Sequence, residues 1–494
     1  MKLRFLLLAS LCTLLCACGA KSPVPSSDDP TPTLTPTPVE PTPSFSFSVN
    51  LADRHQVIDG FGAGFTWYAE QATEHLHRDT VYDLLFKDAG LTILRFKNEY
   101  GYPKTFDNSI ACNVAFYNAA KERAEKRGED VTVLYTSWSP TADLKSNNSI
   151  NGGGTLRRKE DGTYDYEAFA RWWVDSVKAY REAGIPVDVL SIQNECDFVA
   201  SYDGCEFGMR ENDTKASYAK AFLACYKALV EEFGDEVPKM IAPETMTCVY
   251  SSLMAYVSDI LDEAPESIFA LGHHLYLGGN SSDKPDYCGY DSFNQNLKGI
   301  RDFAKKHDFH AWQTEFYRGT TLQTANIINN SLVYEDANAY IFWGGVWMSK
   351  YGDNLETNNL ICIARGMGEW INKDGYLVTG DYYALRHFSE YIRPGYVRVE
   401  STLNHLTDEE KTDVRLSTFQ SPDGKRLVTV LINNGATEQY VNLTTPGYTG
   451  SSKVIRSVFS DKFTADMMYN DLGALPESNV LLLPPASVTT VLLD

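Results

Sequence analysis

A chain of 494 residues, 43% hydrophobic and 12% aromatic, carries enough apolar side chain for one large core or two moderate ones, which excludes disorder over most of its length. Its formal charge of -21 offers no basic footprint for a phosphate backbone, so no nucleic-acid partner is expected. Acidity of this kind otherwise implies mainly solubility.

The first element is a targeting segment. Lys2 and Arg4 precede the apolar run FLLLASLCTLLCA, which is too short for an ordinary membrane-spanning helix. Leu15, Cys16, Ala17 and Cys18 resemble a bacterial lipoprotein cleavage box. Residues 1–18 would then be a signal and Cys18 a lipid-bearing anchor; a plain secretory signal with incidental cysteines is the alternative. Residues 19–44, GAKSPVPSSDDPTPTLTPTPVEPTPS, alternate Pro with Thr or Ser and have almost nothing to bury, which makes a stiff extended tether. The location expected from these elements is the bacterial cell envelope, lipid-anchored, on the periplasmic or outer face. Once Cys12 and Cys16 leave with the signal and Cys18 takes lipid, Cys112, Cys196, Cys205, Cys225, Cys248, Cys288 and Cys362 remain. An odd number forbids complete pairing, no C-x-x-C is present, and closure of a short loop by Cys196 and Cys205 stays open.

Residues 45–56 alternate and are expected to give an N-terminal strand to a side domain. From 57 to 393 eight short apolar runs alternate with helical patterns: VIDGFGAGF (57–65), LTILRF (91–96), VTVLYTSW (131–138), VDVLSIQNE (187–195), PKMIAPE (238–244), IFALGHHLY (268–276), FHAWQTEF (309–316) and ANAYIFWGG (337–345). Eight βα units of this kind predict an α/β fold, a closed (β/α)8 TIM barrel. Between the third and fourth runs, Phe169, Trp172, Trp173 and Val177 mark the apolar face of a helix that stops at Gly184. Residues 394–494 change to short alternating strands with turns such as Pro422-Asp423-Gly424, which read as an attached antiparallel β-sandwich.

Reactive groups in such a barrel belong at the carboxyl ends of the strands, where the loops build an open face. Glu195 ends the fourth run and Glu315 the seventh. Two carboxylates across one mouth are what glycoside hydrolysis needs, one to protonate the leaving oxygen and one to meet the anomeric carbon. Either alone is an ordinary solvent-facing Glu; the pair, with Asn194 directly before Glu195 and aromatic residues at other strand ends, favours catalysis. Trp138 and Trp343 are candidate walls for stacking a sugar ring, with core packing as the alternative for each. Tyr317, Trp67 and Trp347 are further cleft candidates. The His273-His274 pair lacks the His-x-x-x-His spacing with its Glu, so no zinc or other metal is expected. The NGGGT stretch at 151–155 is a loop glycine run without a phosphate-binding context, and no cofactor is expected.

The motifs QVIDGFGAGF, LRF, YTSWSPTADLK, SIQNE, GHHLY, WQTEF and AYIFWGG resemble the successive strand-end motifs of the glycoside hydrolase clan with its acid on strand four and its nucleophile on strand seven, and within it family 30. The resemblance runs over roughly residues 45–494 and includes RHFSEYIRPGYVRV, similar to the family's passage from barrel to side sandwich. It implies a retaining mechanism with Glu315 as nucleophile and Glu195 as acid/base. It further implies that Arg95 is buried to hold the nucleophile ionised, that Asn194 donates to the sugar 2-hydroxyl, and that His274 and Tyr276 end a strand beside the site, Tyr276 near the nucleophile.

The substrate implied is a polysaccharide. The regions of the seventh and eighth runs and the passage YIRPGYVRV are most similar to the xylan-cleaving subgroup, which gives an endo-acting β-1,4-xylanase as the first expectation, with glucuronoxylan as one form of the substrate. Another family 30 specificity (a β-1,6-glucanase or an exo-acting xylosidase) and a non-catalytic glycan-binding lipoprotein are the alternatives. The stretch WGGVWMSKYGDNLETNN has no Arg where that subgroup grips a glucuronic acid branch; Lys350, Arg365 and Arg393 are the neighbouring cations, and none reproduces a planar bidentate clamp there. A monomer is expected.

Overall fold

A computed structural model describes residues 42–103, 110–276, 291–317, 321–349, 359–364, 375–406, 414–459 and 464–494. The expected signal, Cys18 and most of the tether lie outside the described residues, as do Cys288, Lys350 and Arg365. No described helix is long and apolar enough to cross a membrane.

Eight parallel strands close into the expected barrel: β2 (Gly60–Gly64), β3 (Ile93–Lys97), β4 (Thr132–Thr136), β5 (Val189–Ser191), β6 (Lys239–Thr245), β7 (Ala270–His274), β8 (His310–Glu315) and β9 (Ala339–Phe342), with β9 pairing back onto β2. Ile93, Leu134, Val189, Ile241, Ala270, Trp312, Ala339 and Ile341 fill its interior. Because side chains alternate along a strand, the residues two and four further on from Ile93, Arg95 and Lys97, also face inward, and the packed interior turns polar towards the mouth. The seam between β2 and the turn after β9 needs a residue without a side chain, since a Cβ on Gly64 would overlap the carbonyl oxygen of Trp343.

Two of these strands break their own period near the mouth. The pairing of β6 with β7 slips between Pro243 and Thr245, and that of β7 with β8 slips between Gln313 and Glu315. A bulge of this kind adds one residue to one strand and re-aims the side chain that follows. It turns Glu244 inward, and it sets Glu315 rather than Thr314 opposite His274.

The helices cover the barrel as the apolar faces demand. In the helix Tyr166–Glu182, Asp165 caps the amino end by accepting from the Ala168 amide at 3.1 Å, Phe169, Trp173 and Val177 are buried, and Gly184 ends the run at φ 86, a left-handed value that favours glycine.

The side domain is one continuous nine-stranded sheet in the order β18-β17-β20-β15-β14-β13-β1-β16-β19, where β1 is Phe45–Val57, β13 Val397–His405, β14 Val414–Gln420, β15 Leu427–Asn433, β16 Gln439–Asn442, β17 Ser452–Val458, β18 Asn470–Gly473, β19 Val480–Leu483 and β20 Ser487–Leu493. It curls until strands from its two ends share one core, with Phe45, Val441 and Leu481 packed in the same cluster as Val454, Val491 and Leu493. Its neighbours are antiparallel except β1 and β16, which run parallel over Phe45↔Val441 and Ser46↔Asn442. β17, β18 and β19 and a small sheet of β10 (Gly344–Ser349), β11 (Asn359–Ala364) and β12 (Tyr376–Val378) carry no signal singled out in the sequence.

Candidate active site

At the carboxyl end of the barrel a cleft of about 570 Å³ opens between the strand-end loops. Glu195 reaches it from the turn after β5, held at φ 47 by hydrogen bonds from the Glu195 amide to the Glu244 carbonyl (2.9 Å) and from the Asn194 amide to the Ser137 carbonyl (2.7 Å). Glu315 reaches it from the bulge of β8. One carboxylate oxygen of each, together with a ring nitrogen of His274, lie within 4.8 Å of one another. The two acids are therefore neighbours despite the long stretch of chain between them.

Behind the pair stand two cations and a third carboxylate. Arg95 donates to Glu315 Oε2 at 2.7 Å, to Asn194 Oδ1 at 2.6 Å and to Glu244 Oε1 at 3.1 Å. His274 Nδ1 is 3.0 Å from Glu195 Oε1 and 3.8 Å from Glu315 Oε1, and its Nε2 is 3.7 Å from Glu244 Oε1. Burial alone would keep the imidazole neutral, but the carboxylates of Glu315, Glu195 and Glu244 raise His274 to about 10, so it is a cation at neutral pH. Glu244 is also penalised by burial, yet Arg95 and His274 hold it down at about 2. Burial and the Glu195 charge raise Glu315 against the pull of His274 and Arg95. Two positive charges facing three carboxyl groups leave one negative charge in excess beneath the cleft.

Arg95 and His274, expected among the substrate-binding groups, do not line the cleft. Both are fully buried beneath it and reach the cleft through its lining residues, among them the carboxylates, Asn194 and Trp138. Asn194, Trp138, Tyr276, Trp343, Tyr317, Trp67 and Trp347 all line it. Asn194 spends its oxygen on Arg95, which leaves its NH2 group to donate. Trp138 is only 2% exposed and its ring lies 4.6 Å from the Arg95 guanidinium, so core packing describes most of its surface, whereas Trp343 is half-buried and forms open wall. The paired histidines point apart, as successive strand residues must: His273 Nε2 meets Glu335 Oε1 at 2.6 Å. A protonated His274 also has no lone pair to offer a metal. Arg393 does not approach the cleft either. It pairs with Glu129, which precedes β4 at the opposite end of the barrel, at 2.7 Å. Cys196 and Cys205 are both free and buried, so the short-loop disulfide is not formed.

Glu244 escaped the sequence reading. Its run, PKMIAPE, ends in an acid as the fourth run does and as the seventh does one residue before its end, and that was the available signal. Tyr68, Phe198, Tyr202, Asp203 and Met246 also line the cleft from loops without periodic pattern.

A closed barrel whose mouth holds two facing strand-end carboxylates, walled by aromatic rings, is the site of a glycoside hydrolase. Residues 114–207 match the model of the glycosyl hydrolase family 30 TIM-barrel domain. That is the family its strand-end motifs resemble. It is 24% identical over 404 residues to glucuronoxylanase XynC of Bacillus subtilis, covering 79% of this chain and 78% of that protein. It is 22% identical over 330 residues to an endo-1,6-beta-D-glucanase of Neurospora crassa, covering 63% of this chain and 61% of that one. The catalytic domain of a GH30 xylanase C from Talaromyces cellulolyticus shares the fold with a TM-score of 0.66 and 19% identity, over 91% of this chain and 100% of that structure. These relatives differ in specificity, which leaves the sugar to be argued.

Proposed function

We propose that the protein is a retaining β-1,4-xylanase acting within xylan or its oligosaccharides, with Glu315 as nucleophile and Glu195 as acid/base. The observation that carries the reading is the approach of the two carboxylates to within 4.8 Å. Retention calls for a separation of about 5 to 5.5 Å and inversion for about 6.5 to 9.5 Å, to admit a water.

Arg95 engages Glu315 Oε2, so Oε1 is the oxygen presented to the anomeric carbon. His274 engages Glu195 Oε1, so Oε2 carries the proton that passes to the departing oxygen. In the first step the Oε1–carbon bond forms as the glycosidic carbon–oxygen bond breaks. In the second, Glu195 takes a proton from water, the hydroxyl adds to the same carbon, and the Glu315 ester bond breaks. Esterification removes the Glu315 charge, which weakens proton binding by the carboxyl beside it and frees Glu195 to act as base. The Asn194 NH2 group is placed to donate to the sugar 2-hydroxyl. Xylan is favoured by the motif resemblance and by the glucuronoxylanase relative; β-1,6-glucan is favoured by the glucanase relative.

Reducing-sugar release from unbranched xylan and from β-1,6-glucan is the direct test. Wild type is expected to act on xylan, and Glu315→Gln to lose on the order of 10⁴-fold or more in kcat with its fold intact, as removal of a nucleophile does. Release from β-1,6-glucan alone would transfer the assignment, and binding without any product would make the protein a glycan-binding module. Export and lipidation at Cys18 are part of the proposal, supported by the amino-terminal pattern; Cys18→Ala is expected to release the protein from the membrane fraction. A monomer is the proposed working unit; its mass in solution tests this.

A further inference from the structure

Lys97 stands two residues beyond Arg95 on β3, so it faces the barrel interior about 6.6 Å nearer the mouth. It is buried, and it forms ion pairs with Asp203 (2.6 Å) and Glu99 (2.9 Å) while its ammonium lies 4.7 Å from the Trp67 ring centroid. Asp203 comes from the loop after β5 and lines the cleft beside Trp67 and Trp138. That loop is fixed from a second side: Asp203 bridges Asn151 in the loop after β4, the Gly152 amide donates to the Tyr202 carbonyl at 2.9 Å, and Lys145 Nζ donates to the Gly204 carbonyl. A carboxylate is thus held rigidly in the cleft wall, next to an aromatic face and one layer above the reacting pair.

We infer that Asp203 is a specificity-determining residue, which accepts hydrogen bonds from sugar hydroxyls and makes the cleft select uncharged sugars over sugars bearing a carboxylate. The inference rests on the glycoside hydrolase reading and narrows its substrate class. A carboxylate only accepts, and sugar hydroxyls are donors, so the match is direct. The charges around it have a sign: Lys97 balances one of Asp203 and Glu99, and the other remains. Among the described residues the cleft lining has Glu195, Asp203 and Glu315 and no Lys, Arg or His. A glucuronic acid branch brought to Asp203 would meet an excess of negative charge, since Lys97 is already engaged by Asp203 and Glu99 and the described lining holds no cation.

The test measures binding by calorimetry to Glu315→Gln, with and without a second change, using unbranched and glucuronic-acid-branched xylo-oligosaccharides of equal backbone length, and turnover of the same sugars by the corresponding single variants. Asp203→Asn is expected to weaken the unbranched sugar by roughly 10- to 100-fold, the span of a lost hydrogen bond to a charged group, and to improve the branched-to-unbranched ratio because Lys97 is left less neutralised. Lys97→Met keeps the buried stem and should move that ratio the opposite way, further against the branched sugar. An unchanged ratio in both variants, or a parent that binds the branched sugar at least as tightly as the unbranched one, overturns the inference. Discrimination in binding with no turnover by wild type upholds it while removing the hydrolase reading, and turnover without discrimination does the reverse.

Discussion

The barrel has a hollow at each end, and the larger is not the candidate active site. The amino-end hollow measures about 770 Å³ against about 570 Å³ for the carboxyl-end cleft, and it too has charged groups, among them Asp59, Asp188, Arg181 and Lys239. Their partners differ in kind. At the amino end the charges fasten local structure: Asp59 accepts from Trp312 Nε1 at 2.7 Å and pairs with His310 Nδ1 at 2.6 Å, Asp188 accepts from the Val133 amide at 2.8 Å, and Arg181 donates to backbone carbonyls. At the carboxyl end Arg95, His274, Glu195, Glu244 and Glu315 are spent on one another in a buried network, with a carboxyl group left over. Size does not separate the two hollows; unbalanced charge kept out of water does.

The contrast is broken most severely at Arg95. Arg95→Met is expected to abolish measurable turnover and to cost about 3 to 5 kcal/mol of stability, because Glu244 and Glu315 lose the partner that makes their burial tolerable. Denaturant unfolding beside kcat measures both; a variant with near wild-type stability and turnover would show that the network is not what holds the pair.

Glu244→Gln acts more gently. Removing that carboxylate leaves Arg95 and His274 less neutralised beside the acids, so the alkaline limb of kcat/KM against pH should move down by about one pH unit. A drop in rate with an unmoved limb would assign Glu244 a purely structural part. Its stability contribution has a sign as well. With a folded pKa of about 2, below the unfolded value of about 4.3, Glu244 binds fewer protons folded than unfolded between those limits. That contribution is complete above the window and is lost as pH falls through it, so the variant should lose less stability on acidification than wild type.

The smallest effect belongs to the amino end. Asp59→Asn should cost about 1 to 2 kcal/mol from its weakened bonds to His310 and Trp312 and leave kcat unchanged. A large fall in kcat would erase the distinction between the two ends.

These differences also account for what was legible in the sequence. Glu195 and Glu315 could be found because each follows an apolar run and the barrel supplies the reason for two such acids to meet. Glu244 could not be placed by alternation, since Ile241 faces inward and a regular strand would turn the residue three further on outward; only the bulge reverses it. Arg95 and His274 were recognisable as strand-end residues, but whether a polar side chain lies beside the sugar or beneath the acids depends on depth along the barrel, which spacing does not record. Asp203 sits in a loop with no period at all, and its importance comes from Lys97, distant in the chain. The continuous curl of the side sheet was equally hidden, because the parallel contact of β1 with β16 joins segments that no local pattern connects.

The placement of β1 has a mechanical side. This strand lies inside the curled sheet, hydrogen-bonded to β13 on one edge and β16 on the other, and Phe45 and Phe47 are buried in its core. Traction on the chain ahead of Phe45 would therefore run along the strand and load its ladder bonds together in shear, rather than peeling them singly. Drag at that end would be borne by the sheet before it reached the mouth of the barrel.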